Sequence, residues 1–402
     1  MVQIVNGFYG PWDMTWIINN IQNYMNDTTD IFEDDITELL PGVKTIEHYQ
    51  VKEGVRLICD EAFSDCSTLK EIELPHSLSF IGDRAFAGCV NLDKVYLPDS
   101  LVYIGDGAFD CDSYGVASFW KREHLLDITI PPSIEIINGN PFCFKTIIHC
   151  NNERFKVIDN SLYSADGKVL ISCCTPQEVF TVPFGVERIG IGAFRNCPIK
   201  KVNLPSTLKV IDKYAFWRAS CQKETIVFPE SLDEIRDKAF RGLFNSNNGY
   251  VTFPSNITRI AEDAFDFEDD IQLIKVPKGR IDHYKSILPE WAIHKLCDED
   301  VIFENGLYLS PDKTELIKVN CDEEDLIIPE GVTKIRDRAF GLCFDSITFP
   351  SSLKEFTSAI FDSEPEIYGE DFLMAEQIYV PSGRKRIFME RLPKYQNVIE
   401  EI

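Results

Sequence analysis

The chain has 402 residues, 44% of them hydrophobic and 26% charged, which is longer than one ordinary domain of roughly 100–200 residues; several domains or one elongated array is expected. This composition excludes a largely disordered chain, and no stretch approaches the roughly 20 consecutive apolar residues of a membrane-spanning helix. Forty basic against 65 acidic side chains give a formal net charge of −25, a field that repels phosphate backbones and anionic lipid heads and argues against nucleic-acid binding and membrane insertion.

Residues 1–50 lack the pattern found further on. Trp12, Trp16, Ile17, Ile21 and Tyr24 follow the spacing of an amphipathic helix and are expected to cap the first coil of an array. The start shows no basic run ahead of an apolar core and no small-residue cleavage site, and the end has no lipidation box, so the sequence predicts neither a signal peptide nor an anchor.

From Val55 onward the dipeptide Ala-Phe recurs, first at Phe63, Phe86 and Phe109 with a period of 23 residues. Around each Phe stands a frame LxxIxxxAFxxCxxLxxIxLP, best seen in Leu78, Ile81, Ala85, Phe86, Cys89, Leu92, Val95, Leu97 and Pro98. The run from Leu92 to Leu97 ends in period-2 alternation, which predicts one short strand per coil, and Pro98 ends it because proline donates no ladder hydrogen bond. A unit of this size cannot bury its own apolar face. Stacked neighbours can, so the frame predicts a solenoid with an internal column of Phe side chains.

A degenerate coil with Ile137 and Phe142 follows, and then an interruption near 150–182, where two strand-like runs flank Asp166-Gly167. The array resumes at Pro183 and carries Phe194, Phe216, Phe240 and Phe265. A second interruption around Asn305-Gly306 leads to Phe340 and, with Ile360 replacing Ala, to Phe361. The endings also repeat: Val276-Pro277, Gly279 and Leu288-Pro289 parallel Val380-Pro381, Gly383 and Leu392-Pro393. The organisation read from this is a cap at 1–50, an interrupted repeat array at 51–298, and a second block at 299–402 that continues the array and ends in its own cap.

Catalytic signals are weak. The six His fall in no GxSxG or HExxH frame, and His149-Cys150 and Cys173-Cys174 read as a strand-end His and core or loop thiols. No CxxC pair occurs among the 13 Cys. Cys66, Cys89, Cys197 and Cys343 each stand three residues after a column Phe, which suits small buried hydrophobes better than disulfide partners. The acidic run Asp266 to Asp270 lacks the spacing of a calcium loop. No enzyme activity, metal or cofactor is expected.

What remains is surface. The outward strand positions are Glu71 and Glu73, Lys94 and Tyr96, Asp127 and Thr129, Lys201 and Asn203, Thr225 and Val227, Tyr250 and Thr252, Leu273 and Lys275, Ser346 and Thr348, Gln377 and Tyr379. Three of these are acidic and three basic, so the face is neutral on an acidic protein. Tyr96, Thr129, Asn203, Val227, Tyr250 and Thr252 are the candidate contacts for a protein or glycan, although Thr, Tyr and Val are also simply good strand formers. An insertion after Cys111 adds Tyr114, Phe119 and Trp120 as candidate anchors, or as aromatics folded back on a neighbouring coil.

The frame resembles the BspA-type, or Treponema pallidum-type, leucine-rich repeats from about residue 50 to the C-terminus. Pro75, Pro98, Pro205 and Pro229 stand at the strand exit, where the commoner leucine-rich consensus has Asn or Cys. The resemblance implies a right-handed solenoid of about ten repeats with a parallel strand ladder. It further implies a surface-exposed or secreted adhesin of a host-associated microbe, with a host or neighbouring-cell partner such as an extracellular-matrix component, and no nucleic acid. A monomer is expected. The competing reading is an intracellular protein–protein interaction scaffold, favoured by the missing leader and the many thiols.

Overall fold

The computed structural model describes residues 8–9, 46–111, 125–174, 178–219, 226–242, 249–265, 271–293, 295–321, 323–341, 343–362 and 374–402. The chain forms two compact units. The first comprises Met1–Gln222, Phe228–Leu243 and Asn256–Asp269; the second comprises Lys223–Val227, Phe244–Ser255 and Asp270–Ile402.

One coil shows how the frame folds. The Leu78 amide donates to the Pro75 carbonyl at 3.1 Å, closing a turn that leads into the strand Phe80–Ile81. A corner follows in which Arg84 and Gly88 both take positive φ, 56° and 74°, and Phe86 between them points into the core. Cys89 and Leu92 then make short-range turns, each donating an amide three residues back, and the chain enters the strand Lys94–Val95. At Pro98 the turn repeats, with Leu101 donating to its carbonyl. The turn serine is shared between coils: the Ser77, Ser100 and Ser231 hydroxyls donate to the Val55, Leu78 and Leu208 carbonyls one coil back.

Each coil therefore contributes two strands, one more than the sequence predicts. In the first unit His48–Gln50, Glu71–Glu73, Lys94–Val95, Leu126–Ile130 and Thr146–Cys150 form one parallel ladder. Leu57–Ile58, Phe80–Ile81, Tyr103–Ile104 and Ile136–Asn138 form another. The second ladder escapes sequence reading because two-residue strands are too short to show alternation. Phe8–Tyr9 pairs antiparallel with Ile136–Asn138; the proposed cap residues Trp12 to Tyr24 lie outside the described residues.

The column Phe side chains are buried, and their rings stack coil upon coil. Centroid separations are 5.1 Å for Phe63–Phe86, 5.2 Å for Phe86–Phe109 and 6.1 Å for Phe109–Phe142, with planes within 16° of parallel. The run resumes at 4.8 Å for Phe194–Phe216 and 5.1 Å for both Phe216–Phe240 and Phe240–Phe265. The column backbones are tied as well: the Phe63, Phe86, Phe194 and Phe216 amides each donate at 2.7 Å to the Ala preceding the next Phe.

An Asp ladder flanks the first three coils. The Asp83 amide donates to Asp60 Oδ1 at 2.7 Å, Asp106 to Asp83 Oδ1 at 2.7 Å, and Asn140 to Asp106 Oδ1 at 2.8 Å. Burial raises the Asp83 carboxyl above its usual range, opposed by the backbone donor of Asp106. Gly105 gives the chain room for this contact, because a Cβ there would overlap the Asp83 amide and carboxylate. Gly105→Ala is expected to cost about 1–3 kcal/mol through forced backbone displacement, read as a lower denaturation midpoint; an unchanged midpoint would show that the ladder yields freely.

The predicted interruption is an antiparallel meander, Phe155–Ile158, Ser161–Ser164 and Val169–Cys173. Val169–Cys173 then pairs parallel with Arg188–Ile189, and the ladder continues through Val210–Ile211, Glu234–Ile235 and Arg259–Ile260. A buried cation bridges the interruption. Arg195 Nη1 lies 2.9 Å from Asp106 Oδ2, its Nε lies 2.9 Å from Asp110 Oδ2, and Nη2 donates to the Asn140 carbonyl at 3.0 Å. One guanidinium thus joins the coils before and after the meander. Further along, Asp212 is buried between Arg188 at 3.0 Å and Arg236 at 2.9 Å.

The second unit repeats these themes. Its meander is Ile302–Glu304, Leu307–Leu309 and Glu315–Val319, followed by Lys334–Ile335 in parallel. Asp325–Ile327, Phe344–Thr348, Ala375–Val380 and Ile399–Glu401 form a parallel ladder. The two matching sequence endings adopt the same design. Strand Ile271–Lys275 turns at Gly279 into helix Ile281–Ile287, and strand Ala375–Val380 turns at Gly383 into helix Lys385–Arg391. Phe340 is buried and packs on Phe361 at 4.8 Å.

Candidate functional site: the strand face

In a strand with one buried face, alternate side chains project outward, and parallel stacking in register lines them up in rows. In the first unit His48, Glu71, Lys94, Asp127 and Ile147 share one row. The next positions along the chain, Gln50, Glu73, Tyr96, Thr129 and His149, form a second row by the same register. Basic and acidic groups alternate along the first row, where His48 Nδ1 lies 3.0 Å from Glu71 Oε2, and His149 Nε2 of the second row lies 3.4 Å from Asp127 Oδ1 of the first.

A small cleft of about 120 Å³ opens on this face, lined by Lys94, Tyr96, Asp99, Asp127, Thr129 and Asn151, with Pro131 and Pro132 at the strand exit. Tyr96 is 69% exposed, more than any other large hydrophobic side chain described on this ladder. The Lys94 ammonium sits 4.9 Å from the Tyr96 ring centroid. Hydrogen bonding to the Tyr96 side chain, ahead of the Asp127 charge, raises the Lys94 pKa above its ordinary value. An exposed ring beside a cation, two carboxylates, a hydroxyl and an amide offers both apolar contact and directional hydrogen bonds.

Of the sequence candidates, Tyr96 and Thr129 line this cleft together. Asn203 is exposed in the same unit, and its amide donates to Thr181 Oγ1 at 3.0 Å across the pair Val179–Thr181 and Lys201–Asn203. Val227 and Thr252 belong to the second unit, where they are register partners; Val227 is 62% exposed. Tyr250 lies in strand Gly249–Thr252, but its side chain is outside the described residues, as are Tyr114, Phe119 and Trp120. Leu273, expected to face outward, is buried instead, because Cys297, Tyr308 and Ile317 cover it in a satellite cluster.

Sequence reasoning missed Lys94, Asp127, His149 and Asn151 as one constellation, since residues up to 57 positions apart converge only once the coils stack in register. The pairs considered for chemistry are placed as follows. His149 is on the exposed strand face, while Cys173 and Cys174 are buried. Burial pushes the Cys174 thiol well above its ordinary pKa, which keeps it protonated and poorly nucleophilic. Among the described residues no group of three or more His, Cys, Asp or Glu could hold a metal ion, and no helix is long and apolar enough to cross a membrane. The run Asp266 to Asp270 lies outside them.

No curated protein matches the chain. Solved structures that resemble it include the pneumococcal vaccine antigen PcpA, 18% identical with a TM-score of 0.44 over 89% of this chain and 79% of that one. A leucine-rich repeat protein from Bacteroides ovatus is 18% identical, with a TM-score of 0.40 over 90% and 85%. A leucine-rich cell surface protein from Faecalibacterium prausnitzii is 19% identical, with a TM-score of 0.31 over 79% and 85%. The model of the BspA-type leucine-rich repeat region matches in six copies over residues 42–169, 167–286 and 319–369, most of the chain, and the protein belongs to that family.

Proposed function

We propose that this chain is a non-enzymatic, monomeric binding protein whose strand face docks a macromolecule of a host or neighbouring cell, such as an extracellular-matrix protein. The observation that carries this reading is the cleft in which exposed Tyr96 stands among Lys94, Asp127 and Thr129. Aromatic side chains enclosed by polar groups are the usual energetic centres of protein interfaces. The side chains of this face stand on a parallel ladder of stacked coils, and contact groups held on a hydrogen-bonded ladder lose less ordering entropy on binding than groups on a free loop. This use places the protein at the cell surface or outside the cell.

The test is binding of the full chain to a panel of immobilised extracellular-matrix proteins and glycans, compared with Tyr96→Asp/Thr129→Asp. The variant is expected to lose roughly tenfold or more in affinity, about 1.4 kcal/mol, with an unaltered melting temperature. Equal binding by both proteins would remove this face from consideration. A scaffold inside the cell is the second reading, supported by the thiols of Cys173, Cys174 and Cys197, which are buried in the first unit and persist most easily in a reducing compartment.

A further inference from the structure

We infer that the cleft on the strand face holds a single pyranose ring of a glycan, with Tyr96 as its stacking platform and Asp127, Thr129 and Asn151 as its hydroxyl-binding collar. This ligand class rests on the strand-face reading above and makes it more specific. At about 120 Å³ the cleft falls below the roughly 300–1,000 Å³ of pockets that enclose a whole drug-sized molecule. It has room for one ring of a chain rather than for a folded segment.

The lining combines apolar surfaces with polar edges, as a sugar does. Tyr96, Pro131 and Pro132 supply the apolar part, and the electron-rich face of the Tyr96 ring attracts the C–H groups that a pyranose presents on its flat sides. The ring is held in place by Lys94, whose Nζ lies 4.9 Å from the ring centroid, and yet the Tyr96 side chain remains 69% exposed. The rim of a pyranose carries hydroxyls that both donate and accept. Around the cleft Asp99 and Asp127 accept, Thr129 and Asn151 do both, and Lys94 donates. Asp127 Oδ1 lies 3.4 Å from His149 Nε2, but a carboxylate offers about four lone-pair sites, enough for that contact and for two adjacent hydroxyls.

A peptide strand or helix fits this place less well. Lys94–Val95 pairs with Glu71–Glu73 on one side and with Leu126–Ile130 on the other, and Leu126–Ile130 pairs in turn with Thr146–Cys150. Both strands under the cleft are therefore interior to the ladder and offer no edge to an added strand. A helix docks through an apolar stripe several turns long, whereas here carboxylates, a hydroxyl and an amide surround a single ring. Recognition falls to side chains alone, and the ladder sets their spacing. Tyr96 and Thr129 stand in one row on neighbouring strands, whose backbones lie roughly 4.8 Å apart, so stacking and hydrogen-bonding groups fall within reach of one sugar ring.

The test is saturation-transfer difference NMR of the full chain with the methyl pyranosides of glucose, galactose, mannose, N-acetylglucosamine and N-acetylgalactosamine. At least one is expected to respond through its ring protons. That response should be lost in Tyr96→Ala and in Asp127→Ala, largely kept in Tyr96→Phe, and unchanged in Phe184→Ala, which removes a ring exposed elsewhere in the first unit. No response from any pyranoside, or an equal one from Tyr96→Ala, would overturn the inference. A second arm separates it from the strand-face reading: matrix glycoproteins bound by the native chain are offered again after enzymatic removal of their glycans, and binding should be lost. Binding that survives this treatment but is lost in Tyr96→Asp/Thr129→Asp would overturn the sugar ligand and leave the strand face in place. Equal binding by the native chain and that variant would remove both.

Discussion

Phe216→Ala is expected to lower the stability of the chain by about 3–5 kcal/mol, the cost of deleting a buried phenyl ring from a well-packed core. Phe216 stacks against Phe194 at 4.8 Å and Phe240 at 5.1 Å, so one truncation removes contacts on two coil interfaces. In an array held by nearest-neighbour terms, that loss also weakens the coupling between the coils on either side. Denaturant unfolding should show a lower midpoint and a broader or divided transition. Phe184, 82% exposed in a turn, supplies the matched control: Phe184→Ala should change stability by no more than about 0.5 kcal/mol. Equal midpoints for the two variants would refute the stacked column as the source of stability.

Arg195→Met should be comparably costly, about 3–5 kcal/mol, the usual effect of breaking a buried ion pair by removing one partner. The guanidinium faces Asp106 and the buried Asp110 and also donates to the Asn140 carbonyl. No neighbouring solvent replaces that cation in a site where the Arg195 side chain is only 5% exposed. The effect should concentrate at the interruption, so amide hydrogen exchange is expected to accelerate in 155–173 and in the coil carrying Phe194. Adding Asp110→Leu should recover a large part of the loss, because replacing both charges by apolar groups of similar size is often close to neutral. A double variant as unstable as the single one would mean that the bridge acts through shape rather than charge.

Much of this architecture is legible in the sequence because a solenoid writes its contacts at a fixed period. The column from Phe63 to Phe265 and the strand ladder through Lys94 and Tyr96 follow directly from a recurring frame. Both interruptions do too, since each repeats an Asn, a turn dipeptide and two apolar runs. The paired endings were visible as matching Pro and Gly positions, although their helices were not. Features that depend on backbone conformation left little trace. Around Phe63, Phe86, Phe194, Phe216 and Phe240 the positions two before and two after take positive φ whether they hold Gly, as at Gly88 and Gly242, or Arg84, Tyr214, Arg218 and Lys238. Side-chain identity therefore conceals a regular corner.

The sites were less legible than the fold because their members come from different coils. Tyr96 and Thr129 could be placed on one face by the frame, but Asp127 and His149 meet only through register. The Asp pair that Arg195 joins lies 85–89 positions earlier in the chain, beyond the reach of any local pattern. Leu273 broke the expected alternation because the neighbouring meander supplies Tyr308 and Ile317 to cover it. Periodicity predicts how coils repeat, and it is silent where one coil is used differently from the next.

The most direct measurement is site-specific photocrosslinking in the source cells, with a benzophenone amino acid placed at Tyr96 and, as a comparison, at exposed Glu61 on the corner before Phe63. Adducts would be identified by mass spectrometry. The strand-face account predicts adducts from position 96 to one defined macromolecule outside the cell, with none from position 61. Adducts of equal yield from both positions, or none from position 96 in cells that display the protein, would contradict it.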